Sequence, residues 1–212
     1  MIKYVVFDFD GTIIDSKGLG IQLYNELAAK QNFKIIQPED IPALSSLSIP
    51  ARCAELHVPL YRLPELIHYA LKKYEEAIGS LQSFQGIKEV IMQLKSLGYI
   101  IGIISSNSQS NIKTFLQNNG IDEFDHIHSG KNLFGKHFII NGFLRKNNIQ
   151  RDEMIYIADE LRDIKACKKS RVRIISVTWG FDSVELLSTE SPDFLVDRPS
   201  QILDIVKAHS IY

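Results

Sequence analysis

Two aspartates separated by one residue close a short apolar run, Tyr4-Val5-Val6-Phe7-Asp8-Phe9-Asp10-Gly11-Thr12. A pair of acids at that spacing suits a hard divalent cation and the transfer of a phosphoryl group, in which charge neutralisation and in-line placement matter most. An apolar run stopped by a turn reads as a buried strand, so both acids arrive at its carboxyl end, and Gly11 lets the chain turn sharply after them. Asp and Gly are also ordinary turn residues, which makes a solvated turn the first alternative. A calcium loop is the second, but it needs further oxygen ligands and a closing Glu where Thr12-Ile13-Ile14 stands.

Matching parts lie at the ends of other apolar runs. Tyr99-Ile100-Ile101-Gly102-Ile103-Ile104 ends in Ser105-Ser106-Asn107-Ser108, and Met154-Ile155-Tyr156-Ile157-Ala158 ends in Asp159, with Asp163 one helical turn further on. Ser106 and Asn107 stand where a strand gives way to a helix, a place for a hydroxyl and backbone amides to meet phosphate oxygens. Helix capping is the competing reading there, with Ser105 and Ser108 as the nearby candidates. Asp163 fits either an outer contact to a metal or an acid favoured by a helix N-terminus. In the connection before Asp159, Lys136 offers a compact positive charge, with Lys131 as its rival and a solvated surface lysine as the alternative.

These residues must be positioned by alternating elements. Ile87, Val90, Ile91, Leu94 and Leu97 recur at helical spacing before Gly98, and a helix carrying Ile112, Phe115 and Leu116 ends at Asn118-Asn119-Gly120. A short strand is expected around Phe124–Ile127, then a helix with Phe138, Ile139, Phe143 and Leu144. Helix 161–170, strand 172–178, the short strand 194–196 and a closing helix near 200–208 complete the series. The alternation predicts an α/β fold, a doubly wound, mostly parallel, Rossmann-like sheet with ligands at the carboxyl ends of its strands. Residues 16–84 break the pattern. They read as helices punctuated by Pro38, Pro42, Pro50, Pro59 and Pro64, the strongest being Leu19–Gln31 and Pro64–Ile78, whose stripes (Ile21, Tyr24, Leu27, Ala28; Ile67, Leu71, Tyr74, Ile78) predict a small core. The expected division is a core of 1–15 and 85–212 and a helical insert of 16–84 hanging over the sheet's carboxyl edge.

Composition narrows the partners. The chain of 212 residues is 45% hydrophobic and 23% charged, with a formal net charge of -1, so no broad basic field recommends nucleic acid or an anionic membrane. Cys53 and Cys167 lack metal-ligand spacing and read as small buried hydrophobes of a reducing compartment. The acids arrive before a signal peptide could be completed and no long apolar run follows, so a cytoplasmic protein is expected, a monomer by default.

Taken in order, these motifs resemble the haloacid dehalogenase superfamily, and within it the phosphatases similar to phosphoglycolate phosphatase that carry a helical cap after the first strand. Asp-x-Asp-Gly-Thr matches residues 8–12, the hydroxyl after a strand matches Ser106, the lysine matches Lys136, and the acidic motif matches Asp159 and Asp163. The resemblance implies that Asp8 attacks phosphorus, that Asp10 protonates the leaving oxygen and later takes a proton from water, and that Lys136 neutralises Asp8 and the phosphate. It also implies substrate contacts from Gly11, Thr12, Ser106 and Asn107, and a magnesium ion on Asp8, Asp10 and Asp159, with Asp163 close by. A small phosphorylated metabolite is the implied substrate, and a phosphomutase would share the same core. A phosphoaspartate receiver module and a silent binding protein are the readings from other classes. The chain departs from the pattern at Ala158, where glycine is usual, and at His137, where proline often follows the lysine. Its insert carries no recognisable substrate signature, although Arg52, Arg62, Lys72 and Lys73 offer charges for a second anionic group.

Overall fold

The computed structural model describes residues 1–121, 123–130 and 135–210. Six strands, β1 Tyr4–Phe7, β2 Ile100–Ser105, β3 His126–Ser129, β4 Met154–Ala158, β5 Arg173–Val177 and β6 Phe194–Val196, form one sheet in the order β3-β2-β1-β4-β5-β6. Every neighbouring pair is parallel. The order reverses at β1, between β2 and β4, and such a reversal opens a crevice at the strands' carboxyl ends. The register Phe7↔Ile103 and Phe7↔Ile157 brings the residues after β1, β2 and β4 to that edge together.

Ten helices are described: α1 Lys17–Gln31, α2 Ile41–Ser45, α3 Ile49–Glu55, α4 Leu63–Ala77, α5 Ile87–Ser96, α6 Gln109–Asn119, α7 Lys136–Lys146, α8 Leu161–Ser170, α9 Val184–Ser188 and α10 Pro199–Ala208. Side chains alternate along a strand, so β1 sends Val5 and Phe7 into one layer with α5, α6 and α10, and Val6 into the other with α7 and α8. That double coverage explains the unbroken apolar runs of the inner strands. Each fully buried aliphatic or aromatic side chain in these layers contributes about 1.5–3 kcal/mol by leaving water. Phe9 is fully buried and meets Phe115 edge-on at 5.3 Å, which anchors the residue between the two acids.

The structure refines several sequence expectations. The strand expected around Phe124–Ile127 lies two residues later, as β3, an edge strand whose His126 and His128 give little apolar signal. Leu97 and Phe138 fit helical periodicity but are 52% and 68% exposed, so neither belongs to the core. In α1 the buried face is Leu23, Leu27 and Ala28; Ile21 and Tyr24 are only half-buried. The small core among the insert helices consists of Leu44, Cys53, Leu56 and Val58 with flanking residues. Tyr74 and Ile78, expected in that small core, pack instead against the sheet's own layer. No described helix is long and apolar enough to cross a membrane.

Candidate active site

Asp8 follows β1 directly, its N–H donating to the Ile157 carbonyl at 2.8 Å, and its carboxylate is buried. Lys136, the first residue of α7, reaches across with its ammonium 2.6 Å from Asp8 Oδ2 and 2.6 Å from Asp163 Oδ1. Burial alone would drive a lysine toward neutrality, but Asp163 and Asp8 outweigh it and hold the ammonium protonated. Glu160 and Asp163 each place a carboxylate oxygen within 4.8 Å of Asp8, and Arg162 donates to Glu160. Asp163 sits in the first turn of α8, fully buried, and burial pushes its carboxyl up to about 7 against the pull of Lys136.

Asp10 is held from three directions. Its Oδ1 accepts from Ser16 Oγ at 3.0 Å and from the Tyr74 hydroxyl at 2.6 Å, and its Oδ2 accepts from Asn107 Nδ2 at 3.0 Å. Burial raises the Asp10 carboxyl, and the bonds from Tyr74, Asn107 and Ser16 oppose that rise by favouring the anion. The Asn107 amide has one orientation, because its Oδ1 accepts from Ser108 N–H at 2.8 Å and from Asn111 Nδ2 at 3.0 Å.

Asp159 follows β4 and is fully enclosed. Thr12 Oγ1 donates to its Oδ1 at 2.8 Å and the Phe181 N–H to its Oδ2 at 2.8 Å. Two glycines make room for it: a Cβ on Gly11 would stand 2.2 Å from Asp159 Oδ2, and one on Gly180 would stand equally near. Gly11 also has φ +73°, a backbone that other residues adopt at a cost. Burial drives the Asp159 carboxyl far above the usual range, and repulsion from Glu160 and Asp8 adds to it.

Asp8, Glu160 and Asp163 thus gather about Lys136 and Arg162, and Asp10 and Asp159 lie near enough to be repelled by Asp8. Asp163 Oδ2 is a buried acceptor with no partner among the described residues, while Oδ1 has only the ammonium, at 2.6 Å but out of hydrogen-bond alignment. An all-oxygen, acid-rich donor set in which Glu160 and Asp8 repel the enclosed Asp159 carboxylate fits a hard divalent cation, which would relieve that repulsion. Lys136 pairs with both Asp8 and Asp163, and Arg162 pairs with Glu160.

Some expected substrate contacts have other partners. The N–H groups of Gly11 and Thr12 bond within the turn, to Ile14 and Phe9 carbonyls at 3.0 and 3.3 Å, and the Thr12 hydroxyl serves Asp159. Asn107 is 1% exposed, its N–H bonds Ser105 Oγ at 3.0 Å, and its side chain clamps Asp10, so it is committed within the protein. Ser106 stands one residue beyond β2, only half-buried, and Ser108 caps α6 by accepting from Asn111 N–H at 3.1 Å. Asp163, expected close to the metal, places a carboxylate oxygen within 4.8 Å of Asp8 and pairs with Lys136. Lys131 lies outside the described residues. Of the insert cations, Arg52 is tied to Asp182 and the Leu44 carbonyl, Arg62 to Gln31 and Glu65, and Lys73 to Glu76, while Lys72 is exposed. Sequence reasoning missed Glu160, Arg162, Ser16, Phe181 and the Tyr74 hydroxyl. A local signal existed only for the first two, in the charge-dense run Asp159-Glu160-Leu161-Arg162-Asp163.

A family model described as haloacid dehalogenase-like hydrolase matches residues 5–177. Among curated relatives, a phosphoglycolate phosphatase of Synechococcus elongatus is 28% identical over 206 residues, covering 97% of each chain. The pyrophosphatase PpaX of Listeria welshimeri is 28% identical over 221 residues, again covering 97% of each. Among solved structures, a haloacid dehalogenase-like family hydrolase from Streptococcus pneumoniae superposes with a TM-score of 0.79 at 21% identity, covering 96% of this chain and 98% of that one.

Proposed function

Because the chain belongs to the haloacid dehalogenase-like hydrolases, we propose that it is a magnesium-dependent phosphatase of small organic phosphate monoesters, working through an aspartyl phosphate on Asp8. The observation that carries this reading is the buried Asp8 carboxylate, paired with the Lys136 ammonium at 2.6 Å, one residue from an Asp10 fixed by three donors. An Asp8 oxygen forms a bond to phosphorus while the ester P–O bond breaks, and Asp10 gives its proton to the departing oxygen. Water then attacks the phosphorylated Asp8, Asp10 takes the water's proton, and the bond from phosphorus to Asp8 breaks to release phosphate. Lys136 lies against the attacking carboxylate and offsets the charge that gathers when the phosphate arrives. Ser106, beyond β2, is the hydroxyl assigned to the phosphate oxygens.

Asp8, Asp159 and the Asp10 carbonyl are the groups that would hold magnesium, which when bound neutralises phosphate charge and aligns the phosphoryl group for attack. Asp163 positions Lys136. Residues 16–84 act in this reading as a cap over the sheet edge, excluding bulk water while the ester is bound. The charged groups of the cap that could greet a second anion are mostly spent on internal partners, which favours a substrate recognised chiefly by its phosphate and its fit. The pyrophosphatase relative supports a second reading, in which the leaving group is itself phosphate.

The test is phosphate release from p-nitrophenyl phosphate, a panel of phosphorylated metabolites and inorganic pyrophosphate, with magnesium and with EDTA. Asp8→Asn should lower turnover by at least about 10³-fold, as loss of a nucleophile does. Turnover that survives in Asp8→Asn would overturn the assignment, and a preference for pyrophosphate would select the second reading.

A further inference from the structure

Asp10 has a soft terminal torsion, since the carboxyl of an aspartate rotates in a broad two-fold well, so its two oxygens must be told apart by their partners. Those partners differ. Oδ1 accepts from both Ser16 Oγ, at 3.0 Å, and the Tyr74 hydroxyl, at 2.6 Å. A carboxylate oxygen has about two acceptor positions, so Oδ1 is filled. Among the described residues Oδ2 accepts only from Asn107 Nδ2, at 3.0 Å, and the fixed amide leaves that nitrogen no role but donor. No described residue takes the second position on Oδ2. Tyr74 belongs to α4 in the insert, yet its ring is 7% exposed and packs in the layer over the sheet, which holds the hydroxyl on Asp10.

We infer that Tyr74 is a positioning residue: together with Ser16 it fills Oδ1, pins the carboxyl against rotation, and assigns to Oδ2 the proton that Asp10 exchanges with the leaving oxygen and with water. This rests on the phosphatase reading and deepens it. Ser16 precedes α1 and Tyr74 lies near the end of α4, so the Asp10 carboxyl is pinned only while α4 is seated on the sheet edge. The insert then does more than exclude water, because its seating completes the orientation of the acid.

The experiment compares wild type with Tyr74→Phe, which keeps the ring and removes the hydroxyl, on p-nitrophenyl, phenyl and ethyl phosphate. kcat/KM reports the first phosphoryl transfer, and p-nitrophenolate departs with little help from a proton whereas ethoxide needs one. General acid catalysis supplies about 10²–10⁴-fold. The expected result is a loss of less than about threefold with p-nitrophenyl phosphate and of about 30-fold or more with ethyl phosphate. Ile202→Val trims the core at α10, away from α4 and Asp10, and should move all three esters by one common factor. Parallel losses across the esters in Tyr74→Phe, with an active wild type, would overturn the role of Tyr74 and leave the phosphatase reading standing. A wild type inert towards all three would remove that reading and this inference with it.

Discussion

Replacing Gly180 with alanine tests the cradle around Asp159 directly. The new Cβ would stand 2.2 Å from Asp159 Oδ2, 2.3 Å from its Cβ and 2.4 Å from its Cγ. Gly180 is not among the positive-φ glycines, so its backbone accepts alanine and the whole penalty is steric. The clash includes the stem of the aspartate, which cannot swing away as the end of a long side chain would. Ordinary contact begins near 3.4 Å, so Asp159 and the loop must part by about 1 Å, a misplacement of the size that costs about 10²-fold in catalysis. Overpacking of this kind costs about 1–3 kcal/mol, or about 2–12 °C in Tm for a chain this long. Thermal denaturation across a magnesium titration separates the two effects. Wild type at a hundred times its Kd should gain about 2.7 kcal/mol. In Gly180→Ala the same gain should need about 10–100-fold more magnesium, the usual effect of disturbing the surroundings of a metal ligand. An unchanged magnesium response, with kcat/KM close to wild type, would refute both the tightness of the cradle and the place of Asp159 in it.

Other substitutions have defined outcomes. Lys136→Met leaves Asp8 and Asp163 buried without their shared ammonium, so urea denaturation should show a loss of about 3–5 kcal/mol alongside the loss of activity. Adding Asp163→Asn should return part of that stability, and the shortfall from additivity measures the coupling. Gly142 lies within α7 with open space where a Cβ would stand, so Gly142→Ala should stabilise by about 0.5–1 kcal/mol in the same assay with turnover unchanged.

The sheet was legible because its inner strands are buried on both faces and advertise it as unbroken apolar runs, while Gly98 and Gly120 mark helix ends. The meeting of Asp8 with Lys136 was legible for the same reason, since both stand at the boundaries of strongly patterned elements. The partners of Asp10 were not. Tyr74 reads as one more apolar residue on a helical stripe, and only the tertiary fold reveals that its ring joins the larger core and its hydroxyl faces an acid 64 residues away. The Asn107 side chain was equally hidden. Its position after a strand suggested a phosphate contact, and no local rule shows that its side chain reaches the Asp10 carboxylate. β3 was misplaced because an edge strand with two histidines carries too little apolar signal to fix its ends.

The segment after β5 ties together parts that are distant in the chain. Lys17 Nζ donates to the Gly180 and Phe181 carbonyls at 3.1 and 3.2 Å and to Ser45 Oγ at 3.0 Å, and the Ser183 N–H donates to the Ser45 carbonyl at 2.9 Å. Arg52 of α3 pairs with Asp182, which also accepts the Leu161 N–H at 2.7 Å, while the Phe181 N–H holds Asp159. Helices α2 and α3 and the acid after β4 therefore share one mechanical support. A chimera that transplants residues 16–84 from a relative onto this sheet would bring foreign side chains to that support and disturb Asp159 at second hand. Grafting residues 179–183 along with them is the design that keeps both intact.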